Sequence, residues 1–204
     1  QLHIAPILPD FLAAHPDVTL DLRLSDVQFD LIEGSFDLAL RNSVLTDSNL
    51  KEHKLADDTR ILCASPDYLQ KHGTPTHPDA LLQHQLIGFR DQSPRALIGK
   101  NGEATVFDPR LAASRLTLDD DLSQKIATIA GAGISINSLW SVYTEIADGR
   151  LVRVLPEFEM ANRTALWLVY PKTNVLSAKV RVFMDFLLDR LSKSPIWQDV
   201  DRQA

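Results

Sequence analysis

One cysteine, Cys63, is all the thiol the 204 residues hold, so no disulfide closes within the chain and a stapled, oxidised scaffold is excluded. Its apolar setting, Ile61-Leu62-Cys63-Ala64, reads as a buried thiol rather than a nucleophile or metal ligand, and a reducing cytoplasm suits it. Long apolar runs are missing as well. None approaches the roughly 18 residues that a membrane span needs, and no basic start leads into an apolar stretch of the secretory kind. Positive charge is the scarcer sign: 21 Lys and Arg against 27 Asp and Glu give a formal net charge of -6. That is the wrong sign for a surface that must neutralise phosphates, so nucleic acid is not expected as a direct partner of this segment. Enzyme signatures are also lacking, with no glycine-rich phosphate loop, no Gly-x-Ser-x-Gly, no His-Glu-x-x-His and no pair of Cys-x-x-Cys. No cofactor or metal is called for.

What is present is an apolar fraction of 45%, enough to bury a core in one large domain or in two lobes of roughly 100 residues each. Ile4, Leu8, Phe11 and Leu12 fall at helical spacing, and His15-Pro16-Asp17 ends that pattern because proline cannot continue a helix. Val18, Leu20, Leu22 and Leu24 then alternate with Thr19, Asp21, Arg23 and Ser25, which predicts a strand with one buried face. A helix over 26–33 closes on Gly34, a residue suited to the left-handed turn after a last helical position. Phe36 to Leu40 reads as a parallel strand covered on both faces. Helix, strand, helix, strand in this order argues for an α/β sheet.

Further along, a strand at 60–64 leads into a helix capped by Ser65 with Pro66 in its first turn. A helix near 78–82, a strand at 85–89 and β-like segments at 104–107 and 115–118 follow. The 121–130 helix rests on capping-box spacing between Asp121 and Gln124 and on a stripe of Leu122, Ile126 and Ile129. Gly131-Ala132-Gly133 breaks it before a short strand at 134–136. A helix at 140–147, strands at 151–155 and 166–170, and a last helix capped by Ser177 complete the pattern. In that helix Val180, Phe183, Met184, Leu187, Leu188 and Leu191 recur at three and four residues.

Several pieces resemble one family in its own order. Glu33-Gly34-Ser35-Phe36-Asp37-Leu38-Ala39-Leu40-Arg41, a helix turning into a strand that ends on a charge, is similar to the effector-binding domain of LysR-type transcriptional regulators. So are Pro9-Asp10-Phe11-Leu12 with His15-Pro16-Asp17-Val18, the segment Ala64-Ser65-Pro66-Asp67-Tyr68-Leu69-Gln70-Lys71-His72-Gly73-Thr74-Pro75 that enters a second lobe, and the step Ala130-Gly131-Ala132-Gly133-Ile134-Ser135-Ile136. Asp148-Gly149-Arg150-Leu151-Val152 with Val154-Leu155-Pro156, and the amphipathic helix from Ser177, extend the match to residues 6–191. The resemblance implies two Rossmann-like α/β lobes with a ligand cleft between them, similar to type II periplasmic binding proteins. Lobe I takes residues 1–59 and 168–204, and lobe II residues 60–167. It implies a small-molecule sensor that is not an enzyme, that works as a homodimer or tetramer, and that reaches DNA only through an N-terminal winged helix-turn-helix not included in this sequence. In the family a first strand of lobe I precedes the helix that begins near Gln1, and residues upstream of Gln1 are accordingly expected in the intact polypeptide. A two-lobed solute-binding protein for transport, and an enzyme on the same scaffold using Asp120 or Arg41, stand as alternatives.

The site expectation follows from strand ends, since ligands of open α/β sheets bind beyond the carboxyl ends of strands. Arg41 ends the 36–40 strand, where its guanidinium suits a carboxylate; a salt bridge to Asp37 or Asp26 is the other reading. Asn42 and Ser43 follow it, and Ser25 and Asp26 end the strand before it. In the second lobe Phe89, Arg90, Asn137 and Ser138 end their strands similarly. Asp119-Asp120-Asp121 reads as a capped helix start, with Asp120 also a candidate contact at the mouth of a cleft. His72, His77 and His84 share no helical face and lie among prolines, so they read as a solvated loop. The effector expected is a small organic acid with an apolar or aromatic body.

Overall fold

The computed structural model describes residues 2–24, 36–42, 49–90, 94–112, 114–162, 164–172 and 176–191. Their contacts divide the chain into two compact units, one gathering the residues up to Asp58 with those after Thr164, the other running on from Thr59. Among the described residues no helix is long and apolar enough to cross a membrane.

The first unit begins with a 3-10 turn, Ala5–Ile7, that runs into α1 (Leu8–Ala14). Proline lies in the first turn of each, where its missing N–H costs nothing. Phe11 is the only buried residue of α1, and its ring lies 4.8 Å from that of Phe183 and 5.1 Å from that of Phe186. α1 is thereby pinned to α5 (Ala178–Leu191). The Ser177 hydroxyl accepts from the Val180 N–H at 3.3 Å, the expected cap. Within α5 the apolar stripe turns Met184 and Leu187 inward.

β1 (Ala39–Arg41), β2 (Leu50–Asp58) and β11 (Thr164–Pro171) form one sheet in the order β1-β11-β2, antiparallel throughout. Two expectations fail here. β1 is not a parallel strand covered on both faces: it pairs antiparallel with β11, and Leu40 is 41% exposed. Residues 18–24 form no regular element and no ladder to any described strand, and Leu22 and Leu24 are exposed. Alternation fixes which face of a strand would be buried, but the strand itself exists only through a hydrogen-bonded neighbour. β2 was not anticipated at all. Its register on β11 slips between Leu166 and Trp167, which face Ala56 and Lys54, so Leu55 is an extra residue. That bulge buries Leu55 and Ala56 side by side and erases the period of two that a strand displays in sequence. The expected helix over 26–33 and its Gly34 turn lie outside the described residues.

The second unit is built on β3 (Arg60–Ala64), β4 (Ile87–Phe89), β7 (Leu116–Leu118), β8 (Ser135–Ser138) and β9 (Val152–Arg153). β7 lies parallel to β4, a parallel bridge between Leu86 and Ile134 carries β4 on to β8, and β3 pairs antiparallel with both β8 and β9. The order is therefore β7-β4-β8-β3-β9. A separate antiparallel sheet, β10-β5-β6, is made by β5 (Arg95–Gly99), β6 (Ala104–Phe107) and β10 (Phe158–Met160). Around these lie α2 (Pro66–His72), capped by Ser65 as expected, α3 (Asp121–Ile129) and α4 (Leu139–Ala147). Leu62, Leu86, Leu97, Phe107, Ile134 and Ile136 belong to one buried cluster.

The residues 78–82 expected as a helix form the 3-10 turn Pro78–Gln83. The strand expected over 151–155 shrinks to Val152–Arg153 because Leu155 takes a φ of 50°, which ends an extended run. α3 also turns a different face inward from the one its apolar stripe suggested. Gln124, Lys125 and Thr128 are buried, while Leu122 and Ile126 stand 40% and 56% exposed.

Gly133 sits where β4 meets β8. With φ at 155°, any side chain there is strained, and a Cβ would overlap the Gln85 carbonyl that accepts the Ile134 N–H at 2.9 Å. Gly133→Ala is expected to cost at least about 2 kcal/mol. Gly73→Ala, whose Cβ would meet nothing within 4 Å, should cost only the backbone strain of its φ of 84° and ψ of 162°, about 1–3 kcal/mol. Urea unfolding of both proteins checks this, and equal losses would count against the clash.

Candidate functional site

A cavity of about 400 Å³ opens within the second unit, at the small end of ligand sites. Phe89 and Arg90, at the end of β4, line it as the strand-end argument expected. The Arg90 N–H donates to the Leu118 carbonyl at 2.6 Å, and its Nε lies 3.6 Å from Asp119 Oδ2 in an exposed pair. Apolar walls come from Ile87, Phe107 and Ile136, and polar atoms from Thr117 and Gln124. Ser114 also lines it, its hydroxyl donating to the Leu86 carbonyl.

The remaining expected residues divide. Ser25, Asp26 and Ser43 lie outside the described residues. In the first unit Arg41 closes β1 opposite Trp167. Asn42 follows, and its Oδ1 is buried without a hydrogen-bond partner among the described residues. Asp120 caps α3, with Oδ2 accepting from the Ser123 N–H at 2.6 Å.

Asn137 is not on the cavity. Successive side chains of a strand face opposite ways, so Ile136 reaches the cavity while Asn137 turns with Ser135 to the other face of β8. There Asn137 Nδ2 donates to Ser135 Oγ at 2.6 Å and to Cys63 Sγ at 3.3 Å, and Thr128 Oγ1 lies 2.6 Å from Ser135 Oγ. Only 5% of Asn137 is exposed, and its place is in the core rather than at a strand-end contact. Ser138 precedes α4 as its N-cap residue, without a side-chain capping bond. Burial pushes the Cys63 thiol up to about 12 against the hydrogen bonds from Asn137 and Ser135, with the Glu145 charge adding to the rise. A thiol so held is neutral and unreactive at neutral pH.

The three loop histidines have separate partners. His72 stacks on Tyr68 at 4.5 Å, His84 Nδ1 meets the Tyr68 hydroxyl at 3.2 Å, and His77 Nε2 meets Glu103 Oε1 at 2.8 Å. His84 is 5% exposed rather than in a solvated loop. Burial, followed by the His72 charge, lowers its pKa. Among the described residues no group of His, Cys, Asp and Glu is arranged to hold a metal ion.

Sequence reasoning missed Arg95, Asp108 and Arg110, all on the cavity. Asp108 takes the Arg110 Nε at 2.8 Å and Nη2 at 2.7 Å as well as its backbone N–H at 3.0 Å. The Asp-Pro-Arg sequence is the signal for that turn, since an aspartate before proline bonds the chain two residues on. Arg95 has no comparable signature, because one arginine at a strand start looks like any edge charge.

Behind the cavity wall lies a buried ion pair. Lys125 Nζ is 2.9 Å from Glu145 Oε2 and donates to the Ser141 carbonyl at 2.7 Å; Arg150 Nη2 meets Glu145 Oε1 at 3.1 Å. Burial alone would raise the Glu145 pKa, but the Lys125 hydrogen bond, a backbone hydrogen bond and the charges of Lys125 and Arg150 outweigh it, leaving the pKa below its ordinary 4.5. A depressed carboxylate contributes stability above the unfolded-state pKa, and that stability is lost as pH falls through the folded one. Glu145→Gln should cost about 3–5 kcal/mol at pH 7, because Lys125 is left buried without its counter-charge. The deficit should shrink as pH drops below the ordinary glutamate range. Urea melts at neutral and acidic pH measure both, and a deficit that does not change with pH would refute the assignment.

The chain matches the family model described as LysR substrate binding domain over residues 1–192. It is 32% identical over 197 residues to the HTH-type transcriptional regulator CrgA of Neisseria meningitidis serogroup C (strain 8013), an alignment that covers 95% of this chain and 64% of that protein. The structure of the CrgA regulatory domain from Neisseria meningitidis superposes with a TM-score of 0.80 at 31% identity and covers 93% of each chain. Full-length AphB, the Vibrio cholerae virulence activator and a member of the LTTR family, superposes with a TM-score of 0.79 at 28% identity, covering 92% of this chain and 63% of that one. The chain thus spans a little under two thirds of these longer proteins.

Proposed function

We propose that this chain, which belongs to the LysR substrate-binding domain family, senses a small organic acid on behalf of a longer transcription regulator. The domain is the effector-binding part of LysR-type transcriptional regulators, and its fold is the two-lobed α/β fold of that family. DNA recognition through a helix-turn-helix is proposed for the whole protein, since its relative CrgA is an HTH-type transcriptional regulator.

Two features at one strand end support the reading, an arginine that suits an acid and an unpaired acceptor that suits a hydrogen-bond donor elsewhere on the ligand. At the end of β1 an arginine, whose planar fork matches a carboxylate, is followed by Asn42, whose Oδ1 is a buried acceptor with no partner among the described residues. Such an orphan costs about 1–3 kcal/mol, which a donor on a ligand offsets. Arg41 and Asn42 are proposed as effector contacts from their place at the end of β1, and Phe89 and Arg90 from theirs at the end of β4. Replacing Arg41 by alanine is expected to remove about 1.5–3 kcal/mol of binding, roughly tenfold to over a hundredfold in affinity. Calorimetry with simple carboxylates on the wild type and the Arg41→Ala protein tests it, and unchanged affinity would leave Arg41 a structural residue.

Self-association is proposed through α3, whose Leu122 and Ile126 are apolar and exposed. A charge on that stripe should weaken it. Sedimentation at micromolar concentration is expected to find a dimer for the wild type and a shift to monomer for Ile126→Asp; a monomer in both would remove α3 from any interface.

A further inference from the structure

We propose that Arg95 is the cation by which the second unit holds its ligand's carboxylate, and that the ligand is a monocarboxylate with an apolar body. The proposal rests on the reading above that the cavity at Phe89 and Arg90 is an effector site.

Three arginines line the cavity, and they are not equivalent. Arg110 is committed: its Nε and Nη2 grip both oxygens of Asp108, and that side-chain hydrogen bond holds the Asp108 carboxyl below the usual carboxylate range. The Arg90 guanidinium is 65% exposed and sits beside Asp119, where water competes for it. Arg95 differs from both. It opens β5 with its Cα opposite Phe107, and its Nε is buried with no hydrogen-bond partner among the described residues. Burial, and then the charge of Arg60, push its pKa down, yet a guanidinium stays charged at neutral pH. A partly buried cation opposed by the charge of Arg60, with no acceptor at Nε among the described residues, is unfavourable in the empty fold, and an anion entering the cavity supplies what is missing.

The same inventory sets the ligand's class. With Arg110 held by Asp108 and Arg90 beside Asp119, Arg95 is left as the lining arginine whose Nε has no acceptor among the described residues, which matches a single carboxylate. Ile87, Phe107 and Ile136 leave the opposite side apolar, so a ligand body without further charge fits there. Gln124 and Thr117 offer it polar contacts at the edge.

The test uses the full chain with benzoate as probe, benzamide as its uncharged counterpart and inorganic phosphate as an anion without an apolar body. Benzoate is expected to bind saturably by calorimetry and to raise the melting temperature. Benzamide and phosphate should bind on the order of tenfold more weakly or worse. Arg95→Gln should lose benzoate by a similar factor, Arg95→Lys should recover part of it, and Lys100→Gln, at an exposed ion pair on the neighbouring turn, should behave as wild type. Without ligand, Arg95→Gln should melt at the same temperature as wild type or higher, whereas a structural arginine would lower it. Equal binding of benzoate and benzamide, full retention of benzoate by Arg95→Gln, or a lowered ligand-free melting temperature in that variant would each overturn the assignment. Benzoate lost in Arg41→Ala but kept in Arg95→Gln would sink the role of Arg95 alone. No saturable binding by any probe would sink the acid-sensing reading with it.

Discussion

The buried pairing of Lys125 with Glu145 decides how the second unit is put together. Both side chains are only 7% exposed, and neither can enter the interior without the other, since an unpaired buried charge costs several kcal/mol. Once Lys125 must meet Glu145 and the Ser141 carbonyl, the rotation of α3 about its own axis is set and α4 is tied to it. Thr128 then falls over β8, where it meets Ser135, and Gln124 falls on the cavity. What remains of the helix surface, Leu122 and Ile126, is turned out. A polar contact has overruled an apolar stripe.

This arrangement also explains why the strand ends serve two purposes. On β8 the period of two sends Ile136 toward the cavity and Asn137 into the network with Ser135 and Cys63. The same short strand therefore supplies a smooth wall on one side and a satisfied hydrogen-bond chain on the other. Cys63, held in that chain, is spared the chemistry its residue type permits.

The fold was legible where local signals and tertiary pairing agree. Ser65 and Ser177 announce helix starts because a cap is a contact between neighbours in sequence, the cap of α3 falls one residue before the expected Asp121, on Asp120, and Gly133 marks a break because its backbone admits no side chain. Legibility failed where a partner far along the chain decides. The bulge at Leu55 depends on β11, more than a hundred residues later, and the charged run Lys51-Glu52-His53-Lys54 hides the strand that carries it. Residues 18–24 show the converse, a clean alternation with no described neighbour to make it a strand. In the candidate site, the place of Phe89 and Arg90 on the cavity could be expected because a strand end is readable. That of Arg95 could not, because its significance lies in what surrounds it.

Arg95 and Lys125 make the physical point together, a partly buried and a buried cation in the same unit. Lys125 has a carboxylate and a carbonyl at hydrogen-bond distance, so the attraction and the bonds offset its desolvation, and the pair ties two helices together. Arg95 has a buried Nε without an acceptor among the described residues, and the charge of Arg60 opposes its own. Burial of charge is the common term, and the presence of a partner sets its sign. A group that stabilises through partners inside the fold belongs to the architecture. A cation partly buried without them leaves the fold with free energy that a bound anion would recover, and on the proposed reading that asymmetry sets Arg95 apart from the structural Lys125.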